Sequence, residues 1–539
     1  MSNRYSHVVT ALIVASAILL PSTHAAEAGA IQFNINDIDG NPLPCRIHLK
    51  DAAGKPQKAF GQPFWHDHFV ASGRVAVSLG PGTYSWEIER GPEHSRASGT
   101  TDVAASQTET VDVMLRRVAS LRKEGWYSGD LHVHRPIDDV KSLMQAEDLD
   151  FAPVIEWWNA RGGDLPEDQQ LQVSFDGHRI FEFRAGEDER EGGALLYIGL
   201  KRPLDLNVRS REFPSPMHFV GQARERDKQV WIDIEKPFWW DVPTWLASGQ
   251  MNSIGLANNH MCRSRMYESE AWGRPRDVSR LPNPVGNGYW TQEIYYHILD
   301  AGIRMPPSAG SASGVLPNPV GYNRVYVHLG DDNFTRDAWF DGLAAGRCFV
   351  TNGPLLRVTA GEHLPGEVLK LPPTGLLNVD ISILLTSHDR VSDIEVIHNG
   401  RIVKRLDCSE QHTQKLTESV SIEEPGWFLV RAITDVDSTF RFASTAPWYV
   451  EGPGGEQRIS RASAKFFLDW VDERIERVRE SVADPQQLRA VLEPHENARV
   501  FWNHRVQSAN ANLDGEGQNT IEMIHNLSGR KKLRRTDSK

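Results

Sequence analysis

Between about residues 120 and 354, strand-like runs alternate with helix-like ones, and this restricts the fold more than any other feature of the chain. Apolar, β-branched runs stand at 151–155, 181–187, 230–234 and 253–257, and residues 140–149 carry apolar side chains at helical spacing. Strands that alternate with helices pair in parallel and are covered by those helices. The expected class is therefore α/β, a distorted TIM-type barrel with its working residues at the C-terminal ends of the strands.

A chain of 539 residues is too long for one core. Residues 1–25 carry Arg4, a short apolar run from Val8 to Leu20, then Pro21 and small residues, the order of a cleaved signal peptide; a secreted or periplasmic protein is expected, with no membrane span after cleavage. Residues 30–117 show short alternating runs broken by Asp39-Gly40, Ala53-Gly54 and Gly80-Pro81-Gly82, the pattern of a small β-sandwich. That stretch resembles transthyretin-like and carboxypeptidase-regulatory-like modules through Asp39-Gly40, Pro42-Leu43-Pro44 and the Leu-x-Pro-Gly-x-Tyr turn. The barrel is placed at 120–354, a second β-sandwich at 355–455, a helical extension at 460–500, with residues 462–492 read as helix, and a disordered tail at 505–539.

A net charge of −12 argues against nucleic acid as a partner, the basic cluster Arg530-Lys531-Lys532-Leu533-Arg534-Arg535 being read as a solvated tail. Cys45, Cys262, Cys348 and Cys408 form no C-x-x-C pair; an oxidising compartment permits a disulfide that spacing cannot assign.

The chemistry centres on Gly125-Trp126-Tyr127-Ser128-Gly129-Asp130-Leu131-His132-Val133-His134. In an extended run His132 and His134 project to one side, with Leu131 and Val133 on the other, so two imidazoles can hold one metal ion. A second H-x-H, His66-Asp67-His68, reads as a surface strand or as a loop leaning over the active site.

Gly-Asp-Leu-His-Val-His resembles the opening strand of the PHP-type metallohydrolases, and the preceding Gly-Trp-Tyr-Ser narrows the likeness to the CehA/McbA-like branch. Gly186-Glu187, the run from Tyr295 to Gly314 and Gly346-Arg347-Cys348-Phe349-Val350-Thr351-Asn352-Gly353-Pro354 extend it. The resemblance implies a PHP-like barrel with metal ligands His132, His134 and Glu187. It also exposes departures: Glu156-Trp157-Trp158-Asn159 replaces Thr-Asp-His-Asn, Lys236-Pro237 replaces His-Pro, and Ser311-Ala312-Ser313-Gly314 replaces Ser-Asp-x-His.

Three ligands still suit one divalent ion with an open position, zinc or manganese by ligand type, or calcium if acidic neighbours join. Glu156, Glu235, Lys236 and His260 are the candidate catalytic residues: a base, a ligand replacement or proton carrier, and a cation in a lost ligand's place. Salt bridges are the alternative role for each acid. Trp157, Trp158, Asn159, Trp239, Trp240, Asn258 and Asn259 are candidate substrate contacts, with core packing the alternative for the rings. The expected function is an exported metal-dependent hydrolase acting on an ester, amide, phosphoester or glycan-derived substrate. The alternative is a non-catalytic carbohydrate-binding protein on a degenerate barrel; a structural surface protein is a third.

Overall fold

The computed structural model describes residues 28–159, 171–206, 210–330 and 332–511. The signal-like segment and most of the basic tail lie outside the described residues.

The N-terminal module forms because its strands alternate strictly. Gly29–Asn36 buries every second residue, placing Ile31, Phe33 and Ile35 inside, and pairs with Arg74–Leu79 and Thr108–Met114 in a three-stranded sheet. A five-stranded sheet centred on Cys45–Asp51 covers the other side of this core with Ile47, Leu49, Phe69 and Ile88. Each fully buried side chain of this kind contributes about 1.5–3 kcal/mol.

Among the described residues the closed barrel of parallel strands expected from the alternating pattern does not form. Instead one sixteen-stranded sheet follows an open path, from Pro307–Ala309 through Ser253–Ala257, Trp231–Ile234, Gly193–Ile198, Arg179–Arg190, Phe151–Trp158 and Trp126–Gly129. It continues through Arg324–His328 and Cys348–Thr351 into Phe442–Thr445 and Gly426–Thr434, ending at Arg401–Asp407. The physical reason is local. Glu191-Gly192 makes a tight turn, so Arg179–Arg190 and Gly193–Ile198 pair antiparallel, and Gly193–Ile198 meets Trp231–Ile234 antiparallel as well. On the other flank Arg324–His328 runs antiparallel to both Trp126–Gly129 and Cys348–Thr351. Thr351-Asn352-Gly353-Pro354 does not end this sheet: Asn352 donates Nδ2 to Phe440 O (2.9 Å) and accepts from Phe442 N (2.8 Å), tying it to the later strands.

A further three-stranded sheet, Leu355–Ala360 with Leu377–Thr386 and Thr413–Ile422, shares a core with Val391–His398 and Gly426–Thr434 through Ile381, Ile383, Val396 and Phe428. The helix read over 462–492 is two helices, Arg461–Ser481 and Pro485–Ser508. Asp484 separates them, its Oδ1 accepting from Gln486 N and Gln487 N (2.9 and 2.8 Å), and Pro485 opens the second helix without needing a donor. The pair closes over Phe467, Trp470 and Trp502, and Arg474 reaches Asp241 (2.7 Å) and Glu212 (2.5 Å).

Arginines bind the module to the main sheet. Asp148, in the left-handed position after Ile137–Glu147, accepts from Arg117 (2.7 Å), Arg122 (2.8 Å) and Arg179 (2.6 Å). All four cysteines are free.

Candidate metal centre

His132 and His134 lie just past Trp126–Gly129, in extended chain that Val133 bridges to Val154 and Ser313. The segment is held by Asp130, a buried acid whose Oδ1 accepts from His132 N (3.1 Å) and Ser311 N (3.0 Å) and whose Oδ2 accepts from Gly321 N (2.7 Å). Residues 310–314 run directly against the histidines. A Cβ on Gly310 would stand 2.6 Å from His132 Cβ, and one on Gly314, at φ +103°, 2.3 Å from His134 O. Both positions need glycine so that this strand end can close on the pair.

Both imidazoles turn their Nε2 atoms to one point, 2.9 Å apart. Glu187, brought in by Arg179–Arg190, places Oε2 3.5 Å from His132 Nε2 and 3.1 Å from His134 Nε2. Tetrahedral ligands about 2.0–2.1 Å from a zinc ion stand roughly 3.3 Å from one another, so these separations fit a shared ion. Burial alone would raise the pKa of Glu187, but the two imidazoles outweigh it and hold the carboxyl below its usual range.

The opposite edge of His132 supplies the second half of the arrangement. Its Nδ1 faces Glu235 Oε1 at 3.4 Å. A carboxylate there keeps the proton on Nδ1 and turns the Nε2 lone pair toward the ion position. Glu235 is itself held by Lys236 Nζ (2.5 Å), Asn259 Nδ2 (2.5 Å) and Trp239 Nε1 (3.0 Å). Oε1 thus faces His132, Lys236 and Asn259 while Oε2 takes only the Trp239 indole, so Glu235 orients His132 and keeps an oxygen able to accept. Lys236, 4% exposed, brings its cation to within one carboxylate of the histidines.

Three more buried polar atoms nearby lack hydrogen-bond partners: Asn259 Oδ1, His260 Nδ1 and Ser313 Oγ. Asn259 reaches the cluster through Glu235, and Ser313 bridges the residue between the histidines. Such atoms mark a polar position able to accept a solvent or substrate group. His260 is kept neutral, burial and then the Lys236 charge pushing its pKa well down. Its ring lies between Phe238 and Tyr267.

Other candidates fall elsewhere. Glu156 accepts from Arg184 N (2.7 Å) at the irregular pairing of its strand with Arg179–Arg190, and no hydrogen bond or ion pair among the described residues joins it to the histidines. Trp157, Trp239 and Trp240 are 2%, 0% and 2% exposed, so they are core side chains and offer no stacking face. Their indole N–H groups go to Arg184 O, Glu235 and Trp272 O. Trp158, half-buried, packs on His134 with ring centres 5.2 Å apart. Asn159 accepts from Glu189 N (2.8 Å), while Asn258, fully buried, accepts from His260 N (3.1 Å).

Sequence reasoning passes over Asp130 and offers Glu189 only as one of several acids beside Glu187 that could stand in for a lost donor. Glu189 Oε2 accepts from Trp158 Nε1 at 3.0 Å, and burial, then the charges of Glu187 and Glu235, push its carboxyl up to about 7. Asp130 could have been found as an acid inside an otherwise apolar run; for Glu189, already an acid beside Glu187 in the sequence, only the contact with Trp158 required the structure.

The second H-x-H separates. His66 is exposed, whereas His68 and Asp67 meet His48 from the neighbouring strand, Asp67 lying 3.2 Å from His68 Nδ1 and 3.3 Å from His48 Nδ1. Arg46 Nε donates to His48 Nε2 at 3.0 Å. An arginine cannot accept, so His48 carries its proton on Nδ1, toward Asp67, which disfavours a metal at that nitrogen. Two clusters of metal-ligand type thus stand among the described residues, and the electrostatics favour the one at His132, His134 and Glu187.

Among the described residues no helix is long and apolar enough to cross a membrane. No family model matches the chain, and no curated protein matches it. Among solved structures the chain is similar to the minor pilin GBS52 of Streptococcus agalactiae, at 20% identity over 18% of this chain, with a TM-score of 0.16. That match spans 47% of the pilin chain and bears on neither fold nor function.

Proposed function

We propose that the protein is an exported, metal-dependent hydrolase whose divalent ion is held by His132, His134 and Glu187. The observation that carries this reading is the convergence of two imidazoles from one extended segment with a carboxylate from Arg179–Arg190, with His132 backed on its other nitrogen by Glu235. The likeness of Gly-Asp-Leu-His-Val-His to the PHP-type metallohydrolases supports it, as does the signal-like leader for export. Imidazole donors favour zinc or manganese; calcium would call for more oxygen ligands than converge here.

A bound ion would supply Lewis acidity toward water and the scissile group of an ester, amide, phosphoester or glycan-derived substrate. The chain's own residues do the rest. Glu235 fixes the tautomer of His132. Trp158 shields the His134 side from water and positions Glu189, whose carboxylate can move a proton at Oε2. Lys236 Nζ places a positive charge where an oxyanion would develop.

Lys236→Met should lower turnover about 100-fold or more while metal content stays unchanged, since a lost oxyanion partner costs that much. Purified protein would be assayed against ester, phosphodiester and glycoside panels with added zinc or manganese. Turnover that is equal in Lys236→Met would remove the lysine from the reading, and turnover that persists in His132→Ala/Glu187→Gln would remove the metal centre. The glycan-binding alternative loses support because Trp157, Trp239 and Trp240 are buried.

A further inference from the structure

A small cleft opens where the N-terminal module meets the main sheet. Its walls carry the guanidinium groups of Arg46, Arg96, Arg263, Arg324 and Arg441, and all but Arg324 pair with a carboxylate among Glu87, Glu89, Glu147 and Asp389. Glu89 serves three of them, pairing with Arg46 and lying 3.1 Å from both Arg96 and Arg263. Arg441 turns to Asp389 at 2.8 Å.

Arg324 is different. It is 2% exposed, and its donors go to the main-chain oxygens of Gly321 (2.5 Å) and Glu147 (3.3 Å); among the described residues no carboxylate pairs with it. Main-chain carbonyl oxygens, and no carboxylate among the described residues, therefore face this buried guanidinium. Two buried polar atoms on the same walls, Arg441 Nε and Tyr322 Oη, complete no hydrogen bond, although the two side chains stand close enough to interact. Gly91, at φ +56°, keeps the floor clear: a Cβ there would meet Glu147 O at 2.3 Å and stand 3.3 Å from both terminal nitrogens of Arg324.

We propose that this cleft binds a phosphoryl group, either free phosphate or the phosphate of a small monoester. Arg324, Arg441 and Tyr322 all line the cleft, and an oxyanion with three acceptor oxygens can accept from more than one of them where a flat carboxylate meets one fork.

The test is calorimetric titration of the purified protein with inorganic phosphate and with methyl phosphate, at ionic strength fixed by chloride. The background is His132→Ala/His134→Ala, which removes binding at the histidine cluster and keeps this proposal separate from the hydrolase reading. Saturable binding of one phosphate per chain is expected, weakened about tenfold in Tyr322→Phe, which loses one hydroxyl and no volume. Arg96→Gln, at a partly exposed wall position, should weaken it as well. Methyl phosphate bound as tightly as phosphate identifies a monoester ligand; methyl phosphate excluded identifies the free anion. Heats no larger than those of chloride, or an affinity unchanged in both Tyr322→Phe and Arg96→Gln, would overturn the proposal.

Discussion

At His132 the two ring nitrogens do different work, and the neighbouring carboxylates decide which. Glu187 meets Nε2 and Glu235 meets Nδ1, so the ring is clamped between two acids and its lone pair is aimed rather than free to turn. Glu235→Gln keeps the shape but offers a neutral partner to His132 and to Lys236. It should weaken zinc binding about 10- to 100-fold, read by competition with a chromophoric chelator. Equal affinity in the variant would mean that Glu235 serves only Lys236, Asn259 and Trp239. The H-x-H and Glu187 were legible because residue type and spacing carry their chemistry. The full set of donors on Glu235 was not: Trp239 stands four residues on in the same segment, but Asn259 arrives from 24 positions away and no local pattern joins it to the acid.

The elements show where periodicity informs and where it misleads. Alternation in Gly29–Asn36 reads directly as a half-buried strand, and the structure buries Ile31, Phe33 and Ile35 as that pattern requires. The runs at 181–187 and 230–234 are equally clear as strands, yet a strand's own sequence does not state the direction of its neighbour. The turn at Glu191-Gly192 inserts an antiparallel strand, and the parallel barrel fails there. Tryptophans mislead in another way: in so large a core, rings on irregular segments are buried as readily as aliphatic side chains. In the terminal helix pair, Trp470 is fully buried against Phe467. Trp470→Ala should cost about 3–5 kcal/mol, seen as a lower denaturant midpoint. A change below about 1 kcal/mol would mean that the helices contribute little to the fold.

Across the molecule, buried charge links distant elements. Asp148 gathers arginines from the N-terminal module and the main sheet, and Arg474 carries the terminal helices to Asp241 and Glu212. His495 lies in the same region, its Nδ1 2.7 Å from Thr244 Oγ1 and its Nε2 3.8 Å from Asp241, and burial lowers its pKa to about 4. Because the folded value lies below the unfolded value of about 6.5, the unfolded chain binds the extra proton first. Stability is then full above about pH 6.5 and is lost as pH falls toward 4, by up to about 3 kcal/mol from this group. His495→Gln keeps an acceptor for Thr244 and removes the titration, so its stability should fall less than the wild type's between pH 7 and pH 5; parallel curves would refute the assignment. None of these linkages was visible in the sequence, since each joins residues more than 25 positions apart.

The account rests on the meeting of His132, His134 and Glu187 around one ion, and elemental analysis of the purified chain tests that most directly. After equilibration with zinc or manganese and removal of free metal, the wild type should retain one ion per chain, and His132→Ala/His134→Ala should retain none while keeping its circular dichroism spectrum. A wild type that holds no metal, or a double variant that holds as much as the wild type, would contradict it.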